Sequence, residues 1–113
     1  MADSYYQKSS LKQLRKLKAA SPNAAETVGA MNTFFAKAVA EGVLPVKTKE
    51  LIAIAVGHAT KCPYCIEHHV KSAKKVGATE AEISEAVLVA IALSAGAAYT
   101  HAGMAFDAFD EPA

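Results

Sequence analysis

The segment Lys49–Val70 constrains the fold and the function of this chain more than any other segment does. Glu50 opens a strongly apolar helical pattern and is separated from Cys62 by eleven residues. Cys62 and Cys65 are the only cysteines in the chain, and His69 follows four positions after the second. Because ordinary core packing does not require this combination, we interpret the segment as a redox-active dithiol with its own acid–base relay.

Helix signals divide the remainder of the chain, and no alternating strand pattern interrupts them. Each apolar stretch is bounded by a cap residue, a proline or a glycine, which are the residues that begin and end helices. The sequence therefore predicts an all-α, single-domain protein spanning residues 1–113. The first predicted helix runs from about Ser4 to Ala20. The predicted N-caps are Ser21 and Thr48, a capping box is predicted from Thr79 to Glu82, and the predicted helix ends are Gly42, Lys61 and Gly77. A break is predicted at Gly96, before a last helix over about 97–109.

Composition excludes several classes of protein. Twelve basic and eleven acidic residues give a net charge of +1, without the clustered basic face of a nucleic-acid-binding protein. The first ten residues lack the apolar core of a secretory signal, which predicts a cytoplasmic protein. The apolar run from Ala86 to Thr100 is shorter than the ~20 residues of a membrane-spanning helix, so we expect a buried core helix and no membrane partner.

The helix between Glu50 and Lys61 is apolar around nearly its whole circumference, which is typical of a helix buried on every side. A chain of 113 residues has difficulty surrounding such a helix alone. We therefore expect neighbouring subunits to cover part of it, and Gly57 to permit the close approach of another helix.

The spacing of the two cysteines suits thiol chemistry at a helix N-terminus. With Cys62 as the N-cap, Pro63 takes the first helical position and Cys65 the third. Free backbone N–H groups and the positive end of the helix dipole then favour the thiolate over the thiol. The same spacing allows the two sulfurs to form a disulfide within one turn.

Helical geometry indicates which side chains lie on the same face as the thiols and could activate them. Cys62, Cys65 and His69 stand at i, i+3 and i+7 and share one helical face, from which His68 is rotated by ~100°. If the helices on either side of Lys61 form an antiparallel hairpin, Glu50 lies within reach of His69. A carboxylate that orients or deprotonates a histidine beside a thiol is the usual arrangement of an activated nucleophile.

These residues resemble a known family. The pattern Glu-x11-Cys-x-x-Cys-x3-His, in the setting ELIAIAV…CPYCIEHH, is similar to the AhpD-like alkylhydroperoxidases within the carboxymuconolactone decarboxylase family. The resemblance is close over 44–77 and looser up to Phe109. It implies an all-α AhpD-like bundle whose helical hairpin carries the CxxC motif, and an assembly of trimers or hexamers. This chain has Tyr64 where some members carry a histidine.

The resemblance also implies a role for each site residue. Cys65 would be the peroxidatic thiol and Cys62 the resolving thiol, while His69 and Glu50 would form the proton relay that activates Cys65. The substrate would be a small hydroperoxide and the electron donor a dithiol such as a lipoyl group, with no bound cofactor or metal. Because Cys62 lies nearer the helix tip, which of the two thiols first attacks a disulfide substrate stays open.

Several other functions compete with a peroxidase. A decarboxylase of the same family would have no need of two thiols at this spacing. A glutaredoxin-like thiol-transferase also uses C-P-Y-C, but places it between a strand and a helix. A zinc module could use Cys62, Cys65 and His69 with His58 or His101 as the fourth ligand. A non-catalytic redox sensor would use the same dithiol, and the sequence does not separate a sensor from an enzyme.

Overall fold

The computed structural model of the protein describes residues 6–113, and all of its regular structure is helical. This confirms the predicted all-α class for the part of the chain that is described. The first five residues, which include the predicted helix start at Ser4, lie outside it. A 3₁₀ helix, Lys8–Gln13, precedes six α-helices: α1 Leu14–Ala19, α2 Pro22–Val39, α3 Val46–Ala59, α4 Pro63–Lys75, α5 Glu80–Thr100 and α6 Ala102–Asp110.

Contacts divide the chain into two compact units, the first ending at Lys49 and the second comprising Glu50–Ala113. That the chain forms a single domain stays a prediction. In the first unit α1 packs on α2, and the Ser21 hydroxyl caps α2 by accepting a hydrogen bond from the Ala24 amide at 3.0 Å, as predicted. The Lys49 ammonium donates to the Ala40 carbonyl at 2.6 Å, near the end of α2.

The end of α4 and the start of α5 lie where the glycine and the capping box of the sequence predict them. After α4 the chain turns at Gly77, whose φ of 89° lies in the left-handed region that glycine adopts without a steric penalty. The Thr79 hydroxyl then accepts a hydrogen bond from the Glu82 amide at 3.1 Å. The Glu82 carboxylate in turn accepts one from the Thr79 amide at 2.9 Å. This reciprocal pair is the predicted capping box.

Several predicted boundaries are wrong. Over the described residues, the predicted first helix is divided into the 3₁₀ helix Lys8–Gln13 and α1, and α2 ends at Val39, before Gly42.

Two more boundaries differ, at the start of α3 and the end of α5. Helix α3 begins at Val46, not after Thr48, because the Pro45 carbonyl already accepts a hydrogen bond from the Lys49 amide at 3.1 Å. Helix α5 continues through Gly96 to Thr100. A single glycine is tolerated inside a helix, where it lowers the helix propensity without removing a hydrogen bond.

The break instead falls at His101. Its backbone amide donates to the Ala97 carbonyl at 3.3 Å, and its carbonyl accepts from the Met104 amide at 3.0 Å. The chain therefore passes from α5 to α6 with only a one-residue interruption of the helical assignment.

The expectation that 86–100 is a buried core helix is also wrong for the chain by itself. Only Ala90 is buried on α5, whereas large apolar side chains on the same helix are exposed, among them Leu88 at 59% and Leu93 at 68%. The helical stretch Glu80–Asp110 is, by length and composition, apolar enough to cross a membrane. A helix covered by other protein subunits would carry the same exposed apolar surface.

Candidate functional site

The turn between α3 and α4 positions the cysteine pair. The Cys62 amide donates to the Gly57 carbonyl at 2.9 Å and the Lys61 amide donates to the His58 carbonyl at 3.2 Å. This is the hydrogen-bond pattern of a Schellman motif, in which the residue that donates the inner of the two bonds adopts a left-handed conformation. Lys61 occupies that position with a φ of 57°. Cys62 is thus the last residue of the turn and the N-cap of the next helix.

Cys62 and Cys65 are joined by a disulfide across the first turn of α4, with their Cα atoms 5.3 Å apart. The Cys62 sulfur also accepts a hydrogen bond from the Cys65 amide at 3.2 Å. The sulfur therefore satisfies one of the free N–H groups at the start of the helix, as an N-cap side chain does. Both cysteines are half-buried, and the first turn of α4 contains no acidic residue.

Glu50 and His69 meet on the same hairpin. The Glu50 side chain is buried, and its Oε2 lies 2.6 Å from Nδ1 of His69. Since a carboxylate oxygen can only accept, Nδ1 carries the hydrogen and the neutral ring leaves Nε2 free to take a proton. His69 lies one turn after Cys65, the spacing at which side chains on a helix contact each other. The structure thus brings together the residues that the sequence selected, while their catalytic roles stay predictions.

Gly57 permits the close packing of α3 against α4. A Cβ atom at Gly57 would lie 3.3 Å from Cβ of Cys65 and 3.5 Å from the backbone nitrogen of Ile66. Gly57 contacts the start of α4 at Cys65, whereas Glu50, seven residues earlier on α3, contacts His69 further along α4, so the two helices run antiparallel. The helix that approaches Gly57 therefore belongs to the same chain and carries the dithiol.

The other histidines make local contacts. Nδ1 of His58 donates to the Ile54 carbonyl at 2.8 Å, and Nδ1 of His101 donates to the Ala97 carbonyl at 2.7 Å. Both bonds run one turn back along the residue's own helix. His68 is exposed, and its ring stands edge-on to that of His69 with the centroids 4.8 Å apart. Within residues 6–113, no group of three or more His, Cys, Asp or Glu side chains is placed to hold a metal ion.

Two features of the site were not predicted from the sequence. One is the ring contact between His68 and His69, because helical spacing alone turned His68 away from the site. The other is the left-handed conformation of Lys61, for which the sequence carries no signal, since glycine and asparagine are the residues usually found there.

Comparisons with known proteins relate the chain to one family. The model of the carboxymuconolactone decarboxylase family matches residues 25–108. An uncharacterized protein of the cox locus of Paracoccus denitrificans is 54% identical over 72 residues, and an uncharacterized protein of Haemophilus influenzae is 45% identical over 73 residues. Each match covers 64% of this chain, and the chain spans 65% of the length of each of these relatives.

Two solved structures are also similar to the chain. A protein from Methanobacterium thermoautotrophicum is 33% identical with a TM-score of 0.69, over 73% of this chain and 92% of its own. A carboxymuconolactone decarboxylase family protein from Legionella pneumophila, solved in its apo form, is 32% identical with a TM-score of 0.68, over 91% of this chain and 89% of its own. From the family match and these structural relatives, the chain belongs to the carboxymuconolactone decarboxylase family.

Proposed function

We propose that this protein is a thiol-dependent alkylhydroperoxidase-like oxidoreductase of the AhpD type, which reduces hydroperoxides through a Cys62–Cys65 dithiol/disulfide cycle. The observation that carries the proposal is the disulfide at the N-terminus of α4, one turn before a histidine that is hydrogen-bonded to a buried carboxylate. A redox pair and a proton acceptor thus lie on one hairpin. Family membership supports the proposal, because the AhpD-like peroxidases belong to the same family.

In the first half of the cycle, Nε2 of His69 takes the proton of the Cys65 thiol, and the thiolate attacks one oxygen of the peroxide. The S–O bond forms as the O–O bond breaks, and the alcohol leaves with the proton from His69. Cys65 is then a sulfenic acid. The Cys62 sulfur attacks it, and water leaves as the disulfide forms.

In the second half of the cycle, a dithiol donor, such as a reduced lipoyl group, restores both thiols by exchange and leaves as its own disulfide. The net reaction converts one hydroperoxide and one dithiol into an alcohol, water and a disulfide. Glu50 keeps the proton of His69 on Nδ1 throughout, and its negative charge favours the imidazolium that forms at each transfer.

The exposed apolar surface of the chain supports an assembly of several copies. Ile52 and Val56 on α3 are about half exposed, and α5 exposes most of its apolar residues. Covering these residues with a neighbouring subunit would stabilise the protein by roughly 25 cal/mol for each Å² of apolar surface removed from water. The resemblance to the AhpD-like proteins implies a trimer or a hexamer, and a homo-oligomer of this kind that works in the cytoplasm completes the proposal.

The experiment that tests the proposal compares hydroperoxide consumption, with a dithiol donor present, by the wild-type protein and the Cys65→Ser variant. We expect the serine variant to lose essentially all turnover, because a serine hydroxyl is not ionised near neutral pH and does not form a disulfide. Equal rates would exclude a thiol peroxidase. The family description favours decarboxylation as a second candidate, and lyase activity that persists without both cysteines would establish it.

A further inference from the structure

Helix α4 lies between two turns of the same kind, and the residues at their left-handed positions differ. After α4, Gly77 occupies that position, and the Ala78 amide donates to the Ala73 carbonyl at 3.0 Å. Before α4, Lys61 occupies it, although the conformation is unfavourable for a residue with a Cβ atom. Residues held in strained conformations cluster at functional sites, so the presence of a lysine directly before the dithiol calls for a physical reason.

The charges around Lys61 supply one. From Leu51 to Ile66 it is the only lysine, arginine, aspartate or glutamate, and it directly precedes Cys62. Its side chain is exposed, and no residue in 6–113 forms an ion pair with its ammonium group.

The carboxylates on either side of this stretch have other partners. Glu50 accepts the hydrogen bond of His69, and Glu67 lies 2.8 Å from the Lys71 ammonium. The positive charge next to Cys62 is therefore not neutralised within the described chain.

We propose that Lys61 is a specificity-determining residue that selects anionic dithiols as electron donors for the Cys62–Cys65 disulfide. The inference rests on the proposed dithiol cycle and adds the class of its donor. An anionic donor is attracted to the exposed ammonium group, which raises the concentration of its thiolate beside the Cys62 sulfur.

The exchange that follows has two steps. The donor thiolate attacks the Cys62 sulfur, the disulfide bond breaks, and its electron pair leaves on the Cys65 sulfur, which takes up a proton. The second thiolate of the donor then attacks the donor sulfur of the mixed disulfide and releases Cys62 as a thiolate. The donor leaves as a cyclic disulfide, oxidised by two electrons.

The experiment measures the rate at which two matched dithiols reduce the oxidised protein, without any peroxide. Dihydrolipoate carries a carboxylate, and dihydrolipoamide is the same dithiol with that charge removed. The quantity compared is the rate with dihydrolipoate divided by the rate with dihydrolipoamide. At low ionic strength, we expect this ratio to be about threefold higher for the wild-type protein than for the Lys61→Gln variant. Lys61→Arg should keep the preference, and added salt should abolish it.

Lys75→Gln is the matched control, because it removes the same charge from the exposed far end of α4, roughly 18 Å along the helix axis. It should leave the preference unchanged. An equal preference in wild type and Lys61→Gln, or an equal loss of rate with both donors, would overturn the inference. Because the assay follows only disulfide reduction, a failure of peroxide turnover would refute the proposed function without affecting this result.

Discussion

Replacing the buried carboxylate, Glu50→Gln, tests the relay with little change in shape. Glu50 is 5% exposed, and its hydrogen bond to His69 is 2.6 Å long. A glutamine oxygen can still accept the Nδ1 hydrogen, but it no longer offers a negative charge to the imidazolium that forms when His69 takes a proton. A hydrogen bond to a charged group is worth about 1.5–3 kcal/mol and one between neutral groups about 0.5–1.5 kcal/mol, so the substitution removes about 1–1.5 kcal/mol. Since ~1.4 kcal/mol is a factor of ten, we expect peroxide consumption to fall roughly 5- to 10-fold.

The assay is the second-order rate of Cys62–Cys65 disulfide formation when the reduced protein is mixed with a hydroperoxide. The free energy of unfolding should change by less than ~1 kcal/mol, because removing a buried charge also removes its desolvation penalty. Glu67→Gln is the control: it neutralises a carboxylate on α4 that pairs with the exposed Lys71, and its rate should stay within about twofold of wild type. A Glu50→Gln rate equal to that of Glu67→Gln would refute the role assigned to Glu50.

Three further predictions concern glycines whose surroundings differ. Gly77→Ala should lower the free energy of unfolding, measured by urea denaturation, by about 1 kcal/mol, because alanine is disfavoured at a φ of 89°. The added Cβ atom would meet nothing within 4 Å, so no steric contact adds to this cost. An unchanged midpoint of unfolding would show that the turn adapts. Gly57→Leu should lower it by about 1–3 kcal/mol and slow peroxide consumption, because the new side chain presses on Cys65. Gly29→Ala, where the structure leaves open space, should instead raise stability by up to ~1 kcal/mol. A Gly57→Leu variant as stable and active as wild type would contradict the close packing of α3 on α4.

The features that the sequence predicted well are those set by local chemistry. Ser21 and Thr79 cap helices because their hydroxyls accept backbone N–H groups within one turn. Cys62 is predicted as an N-cap because Pro63 follows it. Gly77 is predicted as a helix end because glycine adopts the left-handed conformation without a steric penalty. The contact between Glu50 and His69 could be anticipated as well, because a short turn at Lys61 fixes how the two helices align.

Other features are predicted poorly, because they depend on surroundings that the sequence of one chain does not define. The sequence predicts a helix end at Gly96, yet α5 continues through it, because a glycine weakens a helix without forbidding it. The apolar pattern predicts burial within the chain, whereas Leu88 and Leu93 are exposed. Lys61 gave no signal at all, since its conformation is imposed by the turn and not by its side chain.

The most direct test of the dithiol cycle is a count of thiols after a single turnover without a donor. One equivalent of hydroperoxide added to the fully reduced protein should remove both thiols, yield one equivalent of alcohol and form the Cys62–Cys65 disulfide. In Cys62→Ser the same addition should remove one thiol and leave Cys65 as a sulfenic acid, and in Cys65→Ser it should remove none. Peroxide consumption that leaves both wild-type thiols free, or that proceeds at the wild-type rate in Cys65→Ser, would contradict the account.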